Sequence, residues 1–312
     1  MHSHVSGIHH VTAIASDLQA NVDFYTGLLG LRLVKRTVNF DDPSAYHLYY
    51  GDGTGTPGSI VTFFYWPGFA SRGRIGSGQT TALTFSASPD SLAFWEARLA
   101  QHGVPAKRLA RFGEDVLRFA DPDRIPIEIV AVANDDRSGW AGSEIPREHA
   151  LRGLHTAELT VRDAAPTEHL LTTTMGFRLV RREEHRARFE AGPGGPGRYV
   201  DVIANANEPR GLGGAGTIHH IAWRVADDEA ELAMQSTLAA ADFATSPVMD
   251  RDYFRSIYYR ERGGILFEIA TDVPGFSIDE PVDSLGRELQ LPKQFRHARA
   301  TIEAALPPLR AA

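Results

Sequence analysis

Cysteine is absent from the 312-residue chain. Disulfides, thiolate metal sites and a cysteine nucleophile are thereby excluded, and any bound metal must be held by histidine and carboxylate side chains. Blocks of lysine and arginine are also missing and the formal net charge is −7, which argues against nucleic acid or an anionic membrane surface as partner. Nor is there a long apolar run. Stretches such as 59–66 are far too short to span a bilayer, and the first residues lack a basic segment followed by an apolar one, so cytoplasmic residence is expected. With 43% hydrophobic residues and a length sufficient for two domains, the composition is ordinary, and the information lies in residue order.

That order repeats. Gly7-Ile8-His9-His10-Val11-Thr12-Ala13-Ile14 aligns with Gly153-Leu154-His155-Thr156-Ala157-Glu158-Leu159-Thr160. Leu29-Gly30-Leu31-Arg32-Leu33-Val34 likewise aligns with Met175-Gly176-Phe177-Arg178-Leu179-Val180, and both pairs keep a spacing of 22 residues from Gly7 to Leu29 and from Gly153 to Met175. A second kind of unit relates 80–87, with the helical 94–99, to 219–225 with 232–234. The chain therefore divides into an N-terminal half 1–132, a linker 133–151, a C-terminal half 152–270 and a proline-bearing tail 271–312 with a short amphipathic helix near 295–305. The tail is expected to pack over a sheet or a neighbouring subunit, and a homo-oligomer is left open.

Each unit reads as an alternating strand, a helix and then further strands. In the first, Asp17 caps a helix that runs to about Leu29 and is stopped by Gly30, and strands follow at 31–40, 46–50 and 59–66. The fold class is α+β: four βαβββ modules in two related halves. The glycine-rich 51–58 joins two strands, with neither a following helix nor a Gly-Lys-Ser/Thr ending, so it is a turn and not a phosphate loop.

Comparing the modules position by position picks out a ligand set. The first strands hold His10, Ala82, Thr156 and His220, and the last strands Phe64, Glu128, Asp201 and Glu268. Modules one and four together give His10, His220 and Glu268: two imidazoles and a carboxylate, the set that holds non-haem Fe(II) with positions left open. A charged Glu268 in an apolar strand needs a partner. The alternative is that Arg251, Arg255 or Arg260 pairs with it and the histidines are satisfied core residues. Within the doublets the second histidine is chosen, because His10 and His220 share a register and Thr156 replaces that position in module three; His9, His155 and His219 read as a repeated structural feature.

These residues resemble the vicinal oxygen chelate superfamily of glyoxalases, extradiol dioxygenases and bleomycin-resistance proteins, all built from paired βαβββ units. Val34-Lys35-Arg36-Thr37-Val38, Tyr46-His47-Leu48-Tyr49-Tyr50, Gly55-Thr56-Pro57-Gly58, Tyr253-Phe254-Arg255-Ser256-Ile257-Tyr258, Gly263-Gly264-Ile265-Leu266-Phe267-Glu268 and Leu291-Pro292-Lys293-Gln294-Phe295 narrow the resemblance to the dioxygenases that open hydroquinone rings. Arg262 departs from the pattern, in that relatives often carry proline there. The resemblance implies Fe(II), with Mn(II) or another divalent ion as substitute, on His10, His220 and Glu268, and places Arg251 and Tyr258 beside the substrate and His185 in the pocket wall. It implies O2 and a small aromatic substrate, a hydroquinone in preference to a catechol. The rivals are a glyoxalase-like isomerase or lyase, which usually holds its metal with four protein ligands, and a non-catalytic protein that binds small aromatics, as bleomycin-resistance proteins do.

Overall fold

A computed structural model describes residues 5–68 and 71–310. Its sixteen strands form two eight-stranded sheets, each curled into a half-barrel. Module one supplies β1 (Gly7–Ile14), β2 (Arg32–Val38), β3 (Tyr46–Gly51) and β4 (Ile60–Tyr65), and module two supplies β5 (Gln79–Ala87), β6 (Lys107–Arg111), β7 (Glu114–Ala120) and β8 (Pro126–Ala131). Module three gives β9 (Leu154–Val161), β10 (Arg178–Glu183), β11 (Arg186–Glu190) and β12 (Tyr199–Ala204), and module four gives β13 (Ile218–Val225), β14 (Met249–Asp250), β15 (Phe254–Arg260) and β16 (Leu266–Pro274). The modules are therefore βαβββ in each case, as the alternation of residues implied.

The pairing crosses the two sequence halves. One sheet has the order β14-β15-β16-β13-β1-β4-β3-β2, joining module four to module one, and the other has β10-β11-β12-β9-β5-β8-β7-β6, joining module three to module two. Within a module the first and last strands run parallel, whereas the seams β1–β13 and β5–β9 are antiparallel. The seam strands lie at the centre of each sheet, with a partner from their own module on one edge and from the other module on the other.

The helix of module one is α1 (Leu18–Val22), whose first turn is capped by Asp17 Oδ1 accepting from Ala20 N at 2.9 Å. It then widens into a π-helical stretch over Asp23–Leu28, closed by Leu29 N donating to Phe24 O at 2.9 Å, and Gly30 stops it at φ +69°. Module three repeats this with α3 (Ala165–His169), a π stretch over Leu170–Thr174 and Gly176 at φ +75°. In modules two and four α2 (Ser91–Gln101) and α4 (Asp228–Ala240) are uninterrupted.

The last strand runs four residues into the segment read as tail, to Pro274. The remainder packs on the β2–β3 edge of the first sheet. Buried Lys35 of β2 donates to Asp279 at 2.6 Å and to Glu280, Phe276 packs on Tyr49 and Tyr253 with ring centroids 5.1 and 5.0 Å away, and α5 (Arg299–Ala305) buries Ile302. No helix among the described residues is long and apolar enough to cross a membrane.

Candidate metal centre

β1, β13 and β16 bring the three chosen ligands together because their registers align. His10 lies opposite Ala222 on the antiparallel β13, and Ala222 lies opposite Glu268 on the parallel β16. His220, two residues before Ala222, shares its face by strand alternation. His10 Nε2 is 3.4 Å from His220 Nε2, and Glu268 Oε2 stands 3.2 Å from the first and 2.9 Å from the second. All three side chains are buried, Glu268 completely. The arginines weighed as partners for Glu268 are engaged elsewhere: Arg251 with Asp41, Arg255 with Asp228 and Arg260 with the carbonyl of Gly264.

The two histidines preceding the ligands do more than repeat a structural feature. His9 Nε2 lies 3.1 Å from the carbonyl oxygen of Thr271, which can only accept, so His9 carries its proton there. Its Nδ1 is then the acceptor for His10 Nδ1–H at 2.8 Å, and His10 is left with a bare Nε2 lone pair turned toward Glu268. His219 Nδ1 meets His220 Nδ1 at the same 2.8 Å. Burial and the neighbouring His10 keep His9 neutral, its pKa well below the ordinary imidazole value, and burial likewise lowers that of His220. Burial opposes the charge of Glu268; protonated His10 and His220 would outweigh it and hold the carboxyl well below its usual range, whereas neutral ones leave that charge costly until a cation arrives. Neither carboxylate oxygen has a hydrogen bond of acceptable geometry. Two imidazole nitrogens and a carboxylate oxygen thus converge on one point, which is the arrangement a divalent ion fits.

Above the trio the protein leaves an inner cavity of about 30 Å³, lined by Phe40, His47, Tyr49, Phe254 and Tyr258 among others. It continues into an outer one of about 330 Å³ that adds Trp66, His219 and Leu266. Tyr258 of β15 is directly opposite Glu268 and stands edge-on to His220 with centroids 5.6 Å apart. Burial and then Glu268 push its phenol up, so it stays protonated at neutral pH. Arg251 lies over the Tyr258 ring at 5.4 Å and makes a two-pronged pair with Asp41 at 3.2 and 3.1 Å.

Residues 7–129 and 153–269 match the model of the glyoxalase/bleomycin resistance protein/dioxygenase superfamily. The chain belongs to that superfamily. MhqO of Bacillus subtilis (strain 168), named provisionally as a ring-cleaving dioxygenase, is 44% identical over 302 residues, which cover 97% of this chain and 96% of MhqO. The chlorohydroquinone/hydroquinone 1,2-dioxygenase of Sphingobium indicum is 32% identical over 93% of this chain and 92% of its own. A crystal structure from Bacillus subtilis, named provisionally as a dioxygenase, superposes with a TM-score of 0.95 at 44% identity, covering 99% of this chain and 98% of that one. Glyoxalase I of Zea mays shares the fold at 13% identity, with a TM-score of 0.65 over 85% of this chain and 92% of its own.

Within this superfamily scaffold the register corrects one sequence position. The residue two beyond each first-strand position pairs with the last strand at Glu128, Asp201 and Glu268 in modules two, three and four, but in module one Thr12 pairs with Thr62, not with Phe64. Thr62 is spoken for: it accepts from His47 Nε2 and donates to Thr12 Oγ1, each at 2.8 Å. The first sheet therefore offers three ligands and no fourth carboxylate at that position.

The corresponding place in the second sheet is filled by arginine. Buried Glu128 takes Arg111 and, at 3.0 Å, Arg118; Asp201 takes Arg188 at 2.7 Å and Arg186 at 3.2 Å; Glu114 takes Arg188 at 2.6 Å and His155 at 3.0 Å. Guanidinium groups here supply the positive charge that the buried carboxylates of this sheet require.

His185 is not in the pocket wall. It sits at the turn between β10 and β11 in the second sheet, with its side chain 62% exposed. Conversely, Asn39, Asp41, His47 and Tyr49 line the cavity and were not singled out from sequence. The signal for two of them was available, since His47 and Tyr49 alternate on one face of β3 within a quoted motif.

Proposed function

We propose that the protein is a ring-cleaving dioxygenase that holds Fe(II), or Mn(II) or another divalent ion in its place, on His10, His220 and Glu268, and opens hydroquinone-type aromatics with O2. The observation that carries this reading is the buried trio itself, two imidazole nitrogens and a carboxylate without a hydrogen bond facing one another beneath an aromatic cavity. Three protein ligands, with Thr62 where a fourth carboxylate could stand, favour it over a glyoxalase-like isomerase. The names of the relatives support ring cleavage, and that of the Sphingobium protein supports hydroquinones.

Fe(II), held by His10, His220 and Glu268, would supply a binding place for a substrate oxygen and for dioxygen and a route for electrons between them. The remaining work falls to the chain. Phe40, Phe254 and Tyr258 provide apolar faces for a single ring. On this reading Tyr258, kept protonated, donates a hydrogen bond or a proton to the ring oxygen that develops charge, and the Arg251–Asp41 pair lines the same wall. A catechol can be oriented by an ion through two adjacent oxygens, whereas a hydroquinone offers one and leaves orientation to these side chains. The test is anaerobic loading with Fe(II) followed by oxygen-electrode measurement of kcat/KM for hydroquinone and catechol series. Hydroquinones should be turned over faster; no oxygen uptake with them, or faster catechol cleavage, refutes the assignment.

A further inference from the structure

A larger cavity lies beside the one above the ligands. It is a cleft of about 770 Å³, walled by residues 77–80, the loop 210–217 and the β15–β16 turn, and it reaches the outer cavity at His219 and Leu266, which line both. Four arginines face it, Arg162, Arg210, Arg260 and Arg262, against one carboxylate, Asp163. In a chain of net charge −7 that is a local reversal of sign.

None of the four guanidinium groups is paired with a carboxylate among the described residues. Arg162 donates to the Glu208 carbonyl at 3.0 Å, Arg260 to that of Gly264 at 2.7 Å and Arg262 to that of Ala241 at 3.4 Å, each leaving further N–H groups unused. Asp163 is turned to its own backbone, accepting from Ala165 N at 3.0 Å. A second observation is independent of charge. Thr80 lines the same cleft, is only 2% exposed, and its hydroxyl has no hydrogen-bond partner among the described residues. A buried polar atom is seldom left unsatisfied unless something outside the fold completes it.

We propose that this cleft is a carboxylate-binding subsite that receives the ring-opened product; the identity of the ligand rests on the function proposed above. Cleavage of a hydroquinone between the hydroxyl-bearing carbon and its C–H neighbour breaks one C–C bond and adds both atoms of O2, one to each carbon. The first becomes a carboxylic acid and the second an aldehyde; O2 is reduced by the electrons the ring loses, and the acid releases its proton to water. An uncharged substrate thus becomes an anion. Guanidinium groups bind that anion and not its precursor, so the cleft draws product away from the cavity without competing for substrate.

The probe is cis,cis-muconate, a stable six-carbon dicarboxylate, titrated calorimetrically into the anaerobic Fe(II)-loaded full chain. Muconate should bind, its neutral dimethyl ester should not, and the Arg162→Gln/Arg260→Gln double variant and Arg210→Gln should each raise Kd by about tenfold or more, the scale of one lost charge-assisted contact. The arginine side chains are exposed, so these variants are expected to fold. Equal affinity in the variants, equal affinity for the ester, or displacement of muconate by an equal concentration of inorganic phosphate overturns the assignment. Arginine-dependent muconate binding supports the subsite in either case, while a parent enzyme that consumes no oxygen with hydroquinone sinks the proposed function alone.

Discussion

Glu268→Gln should make the metal-free protein more stable and abolish its response to metal. In the parent, Glu268 is fully buried, both carboxylate oxygens lack a hydrogen bond, and the nearest polar atoms are imidazole nitrogens at 3.2 and 2.9 Å. A buried acceptor left unsatisfied costs about 1–3 kcal/mol, and more when charged. The glutamine amide removes the charge and offers two N–H donors to those nitrogens, regaining about 1 kcal/mol. Without metal the variant should therefore gain roughly 1–3 kcal/mol, or about 1.5–5 °C in Tm for a chain of this size. With a divalent ion at about 1,000 times its Kd, the parent gains roughly 4.1 kcal/mol that the variant lacks, and the order of the two melting curves inverts. Differential scanning calorimetry in EDTA and in excess Mn(II) measures both. A metal-free variant that melts well below the parent would show that the carboxylate is an ion-pair partner of protonated histidines, and the reasoning for a preformed metal cradle would fail.

Two further outcomes follow. Tyr258→Phe should lower oxygen-dependent turnover of hydroquinone by roughly 10²-fold or more with iron content preserved; a variant as active as the parent removes Tyr258 from the chemistry. Glu114 has its folded pKa depressed from 4.5 to about 2, since His155 and Arg188 outweigh the burial that would raise it. Its contribution, on the order of 3 kcal/mol, is complete above the unfolded pKa and is lost as pH falls from about 4.5 toward 2. Acid titration of stability should show that loss in the parent and not in Glu114→Gln, and identical acid limbs for the two proteins would contradict it.

The ligand trio was legible from sequence because the chain carries its own comparison: four copies of one strand pattern, with His10, His220 and Glu268 standing out where the other copies have small or differently paired residues. The parity of the histidine doublets was legible for the same reason. The exchange of Thr62 for Phe64 arose because alternation fixes which face a residue takes, not its offset against a parallel partner, and Thr62 and Phe64 share a face. His185 failed because a histidine in a charged hairpin looks the same whether the hairpin borders a cavity or solvent. The joining of module one to module four was carried only indirectly, by the completeness of their combined ligands, since pairing between β1 and β13 links residues more than two hundred positions apart. Asp41 and Asn39 lie outside the strands, where no periodicity marks a functional side chain.

The crossed pairing of the modules sets an order of events during synthesis. The second sheet draws all its strands from between Gln79 and Ala204, so it can close while the rest of module four is still being translated. The first sheet cannot: β1 emerges at the start and waits unpaired on its seam edge until β13 and β16 arrive. His10 and Glu268 meet only after the segment 11–267 between them has been synthesised, so the trio is not assembled on a partly made chain. The same delay leaves the apolar edge of β1 open for most of translation, which makes that strand the segment most in need of a chaperone.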